Sequence, residues 1–424
     1  MNPDTENKNR EKNKHHGYKS IRILFLEEEY ERILSDNKYF IERLNFHIER
    51  FPDLFPQEIK NGYRLFGFIK ASKKQSIEVR RIEINGMKKG VYQIYPSFVM
   101  PYMTEKTEVA WKILLLKMYK APDWVLALVF DKDEKHIQRM TSHLGNCSLV
   151  GSTVRGNSTV PKDVVADEKH TKLQGEKAYI ATISAKECIL CAGVASGADE
   201  IELTKAYNVF AEQSKDLEPD YQAQTANTDG WKATGVALKN ALGQSLVIIN
   251  CFLHALLGIK NVATKKTAEL FEQVKNKAWN IYRAKDKHTF SQRMRRFRQW
   301  SKNITDFRIK EKVLKLCDKK YSFMACFDFE NAHRTSNMID RLMDFMDKFL
   351  YNRKYLKGKK ETAQKSMTAF CLLHNFRPYC STKEQTVRSP FEKLNGFQYH
   401  DNWLHNLLIA TSRNGFRNYQ QKKT

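Results

Sequence analysis

The apolar positions of this 424-residue chain change period several times, and each change predicts a different element. Residues 2–20 contain no aliphatic side chain and are rich in Asn, Lys and Glu, so residues 1–20 read as a disordered tail. From residue 21 to about 55, Leu26, Tyr30, Ile33, Phe40, Leu44 and Ile48 recur at helical spacing. Ile77 to Ile84 then alternates apolar and polar residues, Asn85-Gly86 punctuates, and Val91 to Tyr95 resumes, predicting a short β-ribbon with basic residues on one side. Between Thr107 and Arg155 follow three short helical patterns. Pro122 closes the first, Trp124–Phe130 forms the second, the third stops at Gly145, and Leu149 opens a further helix. With Arg139 and Arg155 near its tips, this unit suits a helix-turn-helix reader of the DNA major groove, although any small helical subdomain gives the same pattern.

After Pro161 strands and helices alternate. Val164 to Asp167 is a short strand ending in an acid, and Ala178–Ile183 and Cys188–Val194 are close enough to form a meander with it. A helix from Asp199 to Lys215 follows, with Leu203, Tyr207 and Phe210 inward. Thr225 to Gly230 is a strand end, Trp231–Leu242 a helix and Leu246–Asn250 a buried strand. The expected class is α/β, with a sheet of RNase H type. Residues 260–330 depart from that rhythm, being helical and very basic. Phe290, Met294 and Phe297 take the inner face, so that Arg293, Arg295, Arg296 and Arg298 project outward as a phosphate track or a solvated face. A long helix from Arg334 to Leu350 and C-terminal helices, one introduced by Ser389-Pro-Phe-Glu392, complete the chain.

Composition narrows the partners. Seventy-two Lys and Arg against forty-eight Asp and Glu leave a net charge of +24, which favours a polyanion. Eight scattered cysteines do not make a disulfide framework. The most apolar run, Leu246–Leu257, is broken by Asn250 and His254, so neither a leader nor a membrane span is expected and a reduced, cytoplasmic setting is (nucleoid-associated if the chain is bacterial).

Metal-dependent phosphodiester chemistry needs hard carboxylates gathered from separate elements. Asp167, Asp229 and an acid of the 334–350 helix satisfy that requirement at one edge of the sheet. Asp229-Gly230-Trp231-Lys232 is followed by Cys251-Phe-Leu-His254, then by the helical insertion, then by Arg334-Thr-Ser-Asn337-Met-Ile-Asp340-Arg341. Over residues 160–350 this order resembles the DDE transposases of bacterial insertion sequences, in the Mutator-like group. There an Asp-Gly motif carries the second acid and an Arg-Thr-(Thr/Ser)-Asn-x-x-Glu-Arg motif the third. Residues 395–408 also look like the tails of such proteins.

The resemblance implies an RNase H-like catalytic core interrupted by a helical insertion, behind an N-terminal mainly helical DNA-binding region. It divides the chain into a tail (1–20), a DNA-binding region (21–160), the core's first part (161–259), the basic insertion (260–330) and the catalytic and C-terminal helices (331–424). It implies Asp167, Asp229 and Asp340 as catalytic Mg²⁺ or Mn²⁺ ligands, with DNA contacts from Arg293, Arg295, Arg296, Arg298, Arg334 and His254. The working form would be a dimer or higher oligomer joining element ends to target DNA. Asp340 departs from the usual Glu, which shortens that ligand by a methylene; Asp344 is the fallback, and Asp347 shares its face. Cys251 and His254 read either as half a zinc site or as packing and hydrogen bonding at the sheet edge. Cys188 and Cys191 should point to opposite faces of a strand and belong to the core. Glu168 is a second-choice ligand on the face opposite Asp167, and Lys169 and His170 could hold phosphate nearby. The rival functions are an inactive or domesticated DNA-binding derivative, a nuclease on the same sheet, and a basic scaffold.

Overall fold

The computed structural model describes residues 18–71, 77–87, 90–352, 354–381 and 386–416. The expected tail lies outside these as far as residue 17, and the chain is already in a strand at Ser20. The β-ribbon forms the centre of a larger sheet: β1 (Ser20–Ile23), β2 (Tyr63–Ile69), β3 (Val79–Ile84) and β4 (Val91–Pro96) stand in the order β1-β4-β3-β2. β1 runs parallel to β4, and the other pairs are antiparallel. The sequence pattern hides the outer two strands for different reasons. All four residues of β1 are buried, so nothing alternates, while β2 is interrupted by Gly67 at φ 79° and shifts register between Leu65 and Phe68. The helical spacing from residue 21 therefore starts late, as helices Tyr30–Ser35 and Asn37–Arg50. Asp36 separates them and caps the second through the Lys38 and Tyr39 amides.

The basic face expected on the ribbon is not there in the case of Arg80. This side chain is buried between the Phe40 and Phe68 rings, where it donates to the Ile33 and Leu34 carbonyls and to Asn37. It satisfies the C-terminal carbonyls of the first helix, a use of arginine that alternation alone does not reveal. The helical unit comprises Thr107–Met118, Asp123–Phe130, Glu134–Arg139 and Leu149–Thr153. Arg139 is exposed, but Arg155 is only 1% exposed and pairs with Asp53 at 3.6 Å, so it is no reader of a groove.

The second sheet comprises β5 (Asp163–Leu173), β6 (Glu176–Ala185), β7 (Cys188–Ala195), β8 (Thr225–Thr228) and β9 (Val247–Asn250), in the order β7-β6-β5-β8-β9. The first three pair antiparallel, and β8 and β9 add in parallel through helices Glu200–Leu217 and Lys232–Leu242. The whole is thus a mixed α/β protein. Along β5 the side chains alternate between two cores: Val164 and Ala166 pack with Leu203, Tyr207 and Leu238, whereas Val165 joins Ile180, Ile339 and Met346. Gly193 lets β7 approach the first of these helices, since a Cβ there would stand 2.2 Å from the Ala206 carbonyl oxygen.

Cys188 and Cys191 correct a premise. A register shift in β7 places both in the core on the side of the Glu200–Leu217 helix, not on opposite faces. Their burial is as expected, and it pushes both thiols up, Cys191 to about 12.

The insertion builds a core of its own, with Val274, Ile281, Phe290, Met294, Phe297 and Val313 interleaved from helices Ala268–Tyr282, Lys287–Trp300 and Phe307–Asp318. Helix Asn337–Asn352 then crosses the second sheet, burying Ile339, Leu342, Met343, Met346 and Leu350. Helices Lys360–Phe376, Pro390–Asn395 and Trp403–Ala410 return to the N-terminal region. Ile21, Ile113, Leu372 and Leu404 lie in one cluster, and His405 hydrogen-bonds both Ser97 and Thr107. The described residues of the N-terminal sheet and helices thus share one core with helices Lys360–Phe376 and Trp403–Ala410, which the second sheet and helix Asn337–Asn352 also enter. Among the described residues, no helix is long and apolar enough to cross a membrane.

Candidate active site

Asp167 lies within β5, Asp229 follows the last residue of β8, and Asp340 occupies the first turn of Asn337–Asn352. β5 and β8 are parallel neighbours, and the helix crosses the face of β5 on which Asp167 sits, so the three acids meet at one edge. Their fields overlap. Burial, foremost, raises the Asp167 carboxyl to about 6, and the negative charges of Asp229 and Asp340 add to the rise. The Glu168 amide, donating to Asp167 at 2.8 Å, and the nearby His254 oppose it. Burial also raises Asp340, with Asp344 adding and His254 opposing. Among the described residues, no group of three or more His, Cys, Asp or Glu side chains is arranged to hold a metal ion, so the acids are neighbours that do not form a closed ligand shell.

The turn carrying Asp229 requires its glycine. Gly230 has φ 94°, and a Cβ on it would stand 2.9 Å from Lys319 Nζ and 3.0 Å from Asn250 Oδ1. The Asp229 carboxylate accepts from the Trp231 amide at 2.8 Å, fixing the start of the following helix. Lys319, on the insertion, thereby stands against this turn, and no motif pointed to it.

Cys251 and His254 act as a clip on the third acid. Ser336, fully buried at the head of the Asp340 helix, donates its amide to Cys251 Sγ at 3.1 Å and its hydroxyl to the same sulfur at 3.3 Å. The Ser336 hydroxyl oxygen also lies 3.0 Å from His254 Nδ1. Burial alone would push the Cys251 thiol up, but hydrogen bonds from His254 and Ser336 bring it below its ordinary value. The Cys251 hydrogen bond raises His254 to about 9, against burial, with Asp340 and Asp167 contributing. The contacts run as one chain, the Ser336 hydroxyl donating to the sulfur while its oxygen stays within hydrogen-bond reach of the imidazole. These are the sheet-edge hydrogen bonds that one of the two readings of the pair expects.

Two backbone contacts complete the clip. Asn227 on β8 donates to the His333 carbonyl at 2.9 Å, and the Phe252 amide donates to the Arg334 carbonyl at 3.3 Å. Arg334 itself donates to the Ala284 carbonyl and lies over the Tyr282 and Phe327 rings, so its guanidinium docks the insertion onto the motif. Lys169 pairs with Asp347 at 2.5 Å, and His170 packs edge-on against Tyr179. Asp344 remains exposed, one turn beyond Asp340.

Glu168, next to Asp167, faces the other way. Tyr207 donates to it at 2.8 Å and Thr234 approaches both its oxygens at 2.8 and 2.9 Å, while burial raises its carboxyl to about 7. It ties β5 to the two helices beneath the site and presents no oxygen to the acid cluster.

The four insertion arginines divide. Arg295 and Arg296 are exposed, Arg298 is exposed but paired with Asp318 at 2.7 Å, and Arg293 is half-buried and donates to the Asn280 carbonyl. His288, Arg295, Arg298 and Lys320 line a groove of about 390 Å³. No protein-family model matches the chain, and no curated protein matches it.

Proposed function

We propose that this chain is a DNA transposase with an RNase H-like core, which cleaves and joins DNA strands at the edge bearing Asp167, Asp229 and Asp340. The observation that carries the reading is the meeting of these acids from a strand, a parallel strand's end and a crossing helix, with Asp167 raised to about 6 in a field of its own kind. The chain order of three strands, a helix, a strand, a helix and a strand supports the same reading, being the order expected of an RNase H-type sheet.

The donor chemistry suits Mg²⁺ or Mn²⁺, hard carboxylate oxygens being what such ions take. Bound there, the ions would supply Lewis-acid stabilisation and an activated water or 3′-hydroxyl nucleophile. Asp167, Asp229 and Asp340 would hold them, and the Cys251–Ser336–His254 clip sets the helix that delivers Asp340. Arg295 and Arg296 are free to take backbone phosphate, with Lys319 close to the Asp229 turn. Two copies on paired ends would be the working form.

The test is Mg²⁺-dependent cleavage of DNA carrying the sequences that flank the gene. Wild type is expected to nick at defined positions, and Asp229→Ala and Asp340→Ala to cut more than about 100-fold less. Equal cutting by all three would overturn the assignment. A second reading, a non-catalytic DNA-binding derivative, is favoured by the acids' failure to form a closed shell, and cation-independent binding without cleavage would select it.

A further inference from the structure

The buried arginines of the N-terminal and C-terminal body are Arg22, Arg80, Arg155, Arg377 and Arg413. Four have partners: Arg80 holds helix carbonyls, Arg155 pairs with Asp53, Arg377 donates to Tyr119 and Arg413 to Tyr18. Arg22 differs. Its Nε is buried without a hydrogen-bond partner, as are those of Arg155, Arg377 and Arg413, but among the described residues its guanidinium has no hydrogen bond or ion pair to set against this and only the Tyr95 ring beneath it, at 5.0 Å. The residue is 8% exposed and is held rigidly, because its amide donates to Ser412 Oγ at 2.8 Å and its carbonyl accepts from the same hydroxyl.

This guanidinium lines a cavity of about 120 Å³ with Ser20, Tyr102, His143, Asn146 and Cys147. Among the described residues, no aspartate or glutamate lines the cavity. The other ionisable groups supply no counter-charge either. Burial pushes the Cys147 thiol up to about 12 in spite of Arg22, so the sulfur stays protonated. Burial first, and the Arg22 charge second, hold His143 neutral, down to about 3, and its Nε2 is buried without a partner. A guanidinium out of water with neither counter-ion nor full hydrogen bonding is costly and is retained only for a reason.

We propose that this cavity is an anion site for a phosphate group, bound by the Arg22 guanidinium with the Asn146 amide as a further donor, the Ser20 hydroxyl being engaged with Gln93. Arginine's planar fork matches a tetrahedral oxyanion, and the small polar chamber admits one phosphate and no larger head. The site is independent of the acid cluster and stands whether or not the chain cleaves DNA. The phosphate comes either from solution or from a nucleic-acid strand.

The test uses the full chain, inorganic phosphate as probe, and thermal unfolding at constant ionic strength. Wild type should gain roughly 1–2 °C, saturably, at a phosphate concentration about tenfold above Kd. Arg22→Met should lose the gain and, in phosphate-free buffer, unfold no lower than wild type, because it removes an uncompensated buried charge. Arg295→Ala/Arg296→Ala should keep the gain, separating this site from general polyanion binding. Competition of a 5′-phosphorylated oligonucleotide with phosphate in wild type, lost in Arg22→Met, would identify a nucleic-acid source; saturation without competition would identify free phosphate. A phosphate response retained by Arg22→Met, no response in wild type, or lower stability of Arg22→Met without phosphate would each overturn the proposal.

Discussion

Two consecutive carboxylates on β5, Asp167 and Glu168, have opposite surroundings. Glu168 projects into a closed core where two hydroxyls meet its oxygens, so its demands are met by the fold itself. Asp167 projects toward two other acids, with one backbone amide and the His254 field in its favour. Burial raises both carboxyls, but one strand register thus yields an acid that holds helices together and an acid that faces other acids. The difference teaches where function is to be sought: residues at the first kind of position belong to stability, those at the second to a ligand.

The largest effect should come from breaking the satisfied side. Glu168→Ala leaves the Tyr207 and Thr234 hydroxyls buried and unpaired, and a loss of roughly 2–4 kcal/mol is expected in urea unfolding. Asp167→Asn should change stability by less than about 1 kcal/mol, since it removes a buried charge and its like-charge neighbours' repulsion while its amide oxygen can still accept from the Glu168 amide. Equal losses in the two variants would erase the contrast.

A pH series sharpens the same point. The Glu168 carboxyl is raised in the folded state to about 7, above its ordinary 4.5, so folding favours its protonated form. Its contribution is full below about 4.5 and is lost as pH rises through about 7. Between those values wild type should lose roughly 1–3 kcal/mol relative to Glu168→Gln. A flat difference across that window would mean that Glu168 stays ionised throughout.

The clip should matter more to geometry than to stability. Ser336→Ala removes the two hydroxyl links, to Cys251 Sγ and to His254 Nδ1, and leaves the backbone amide's bond to the sulfur. The expected cost is about 1 kcal/mol in unfolding, with a fall of roughly tenfold or more in metal affinity. Unchanged affinity would reduce the clip to packing. The smallest effect belongs to the insertion: Arg295→Ala and Arg296→Ala should each shallow the log–log salt dependence of DNA binding by about 0.9. Arg293→Ala should leave that slope alone, because its guanidinium is spent on the Asn280 carbonyl.

The core sheet was largely legible in sequence because its strands are bounded by turn residues and its helices carry one apolar face. Asp229 could be located through Gly230, whose positive φ tolerates little else. The buried outer strand β1, the bulged β2 and the register shift that turns Cys188 and Cys191 to one side were not legible, since each depends on neighbours distant in the chain. The same holds for Arg80, Arg155 and Arg334, which a charge count takes as surface and the fold uses as interior hydrogen-bond donors. Lys319 approaches Asp229 only because the insertion folds back on the sheet.

The central claim is that Asp167, Asp229 and Asp340 make one divalent-cation site. Mn²⁺ binding followed by its electron paramagnetic resonance signal tests it most directly, with wild type beside Asp167→Asn, Asp229→Asn and Asp340→Asn. The account predicts saturable binding by wild type, weakened at least about tenfold in each variant, while Asp344→Asn stays close to wild type. Binding left intact by all three substitutions, or absent from wild type, would contradict it.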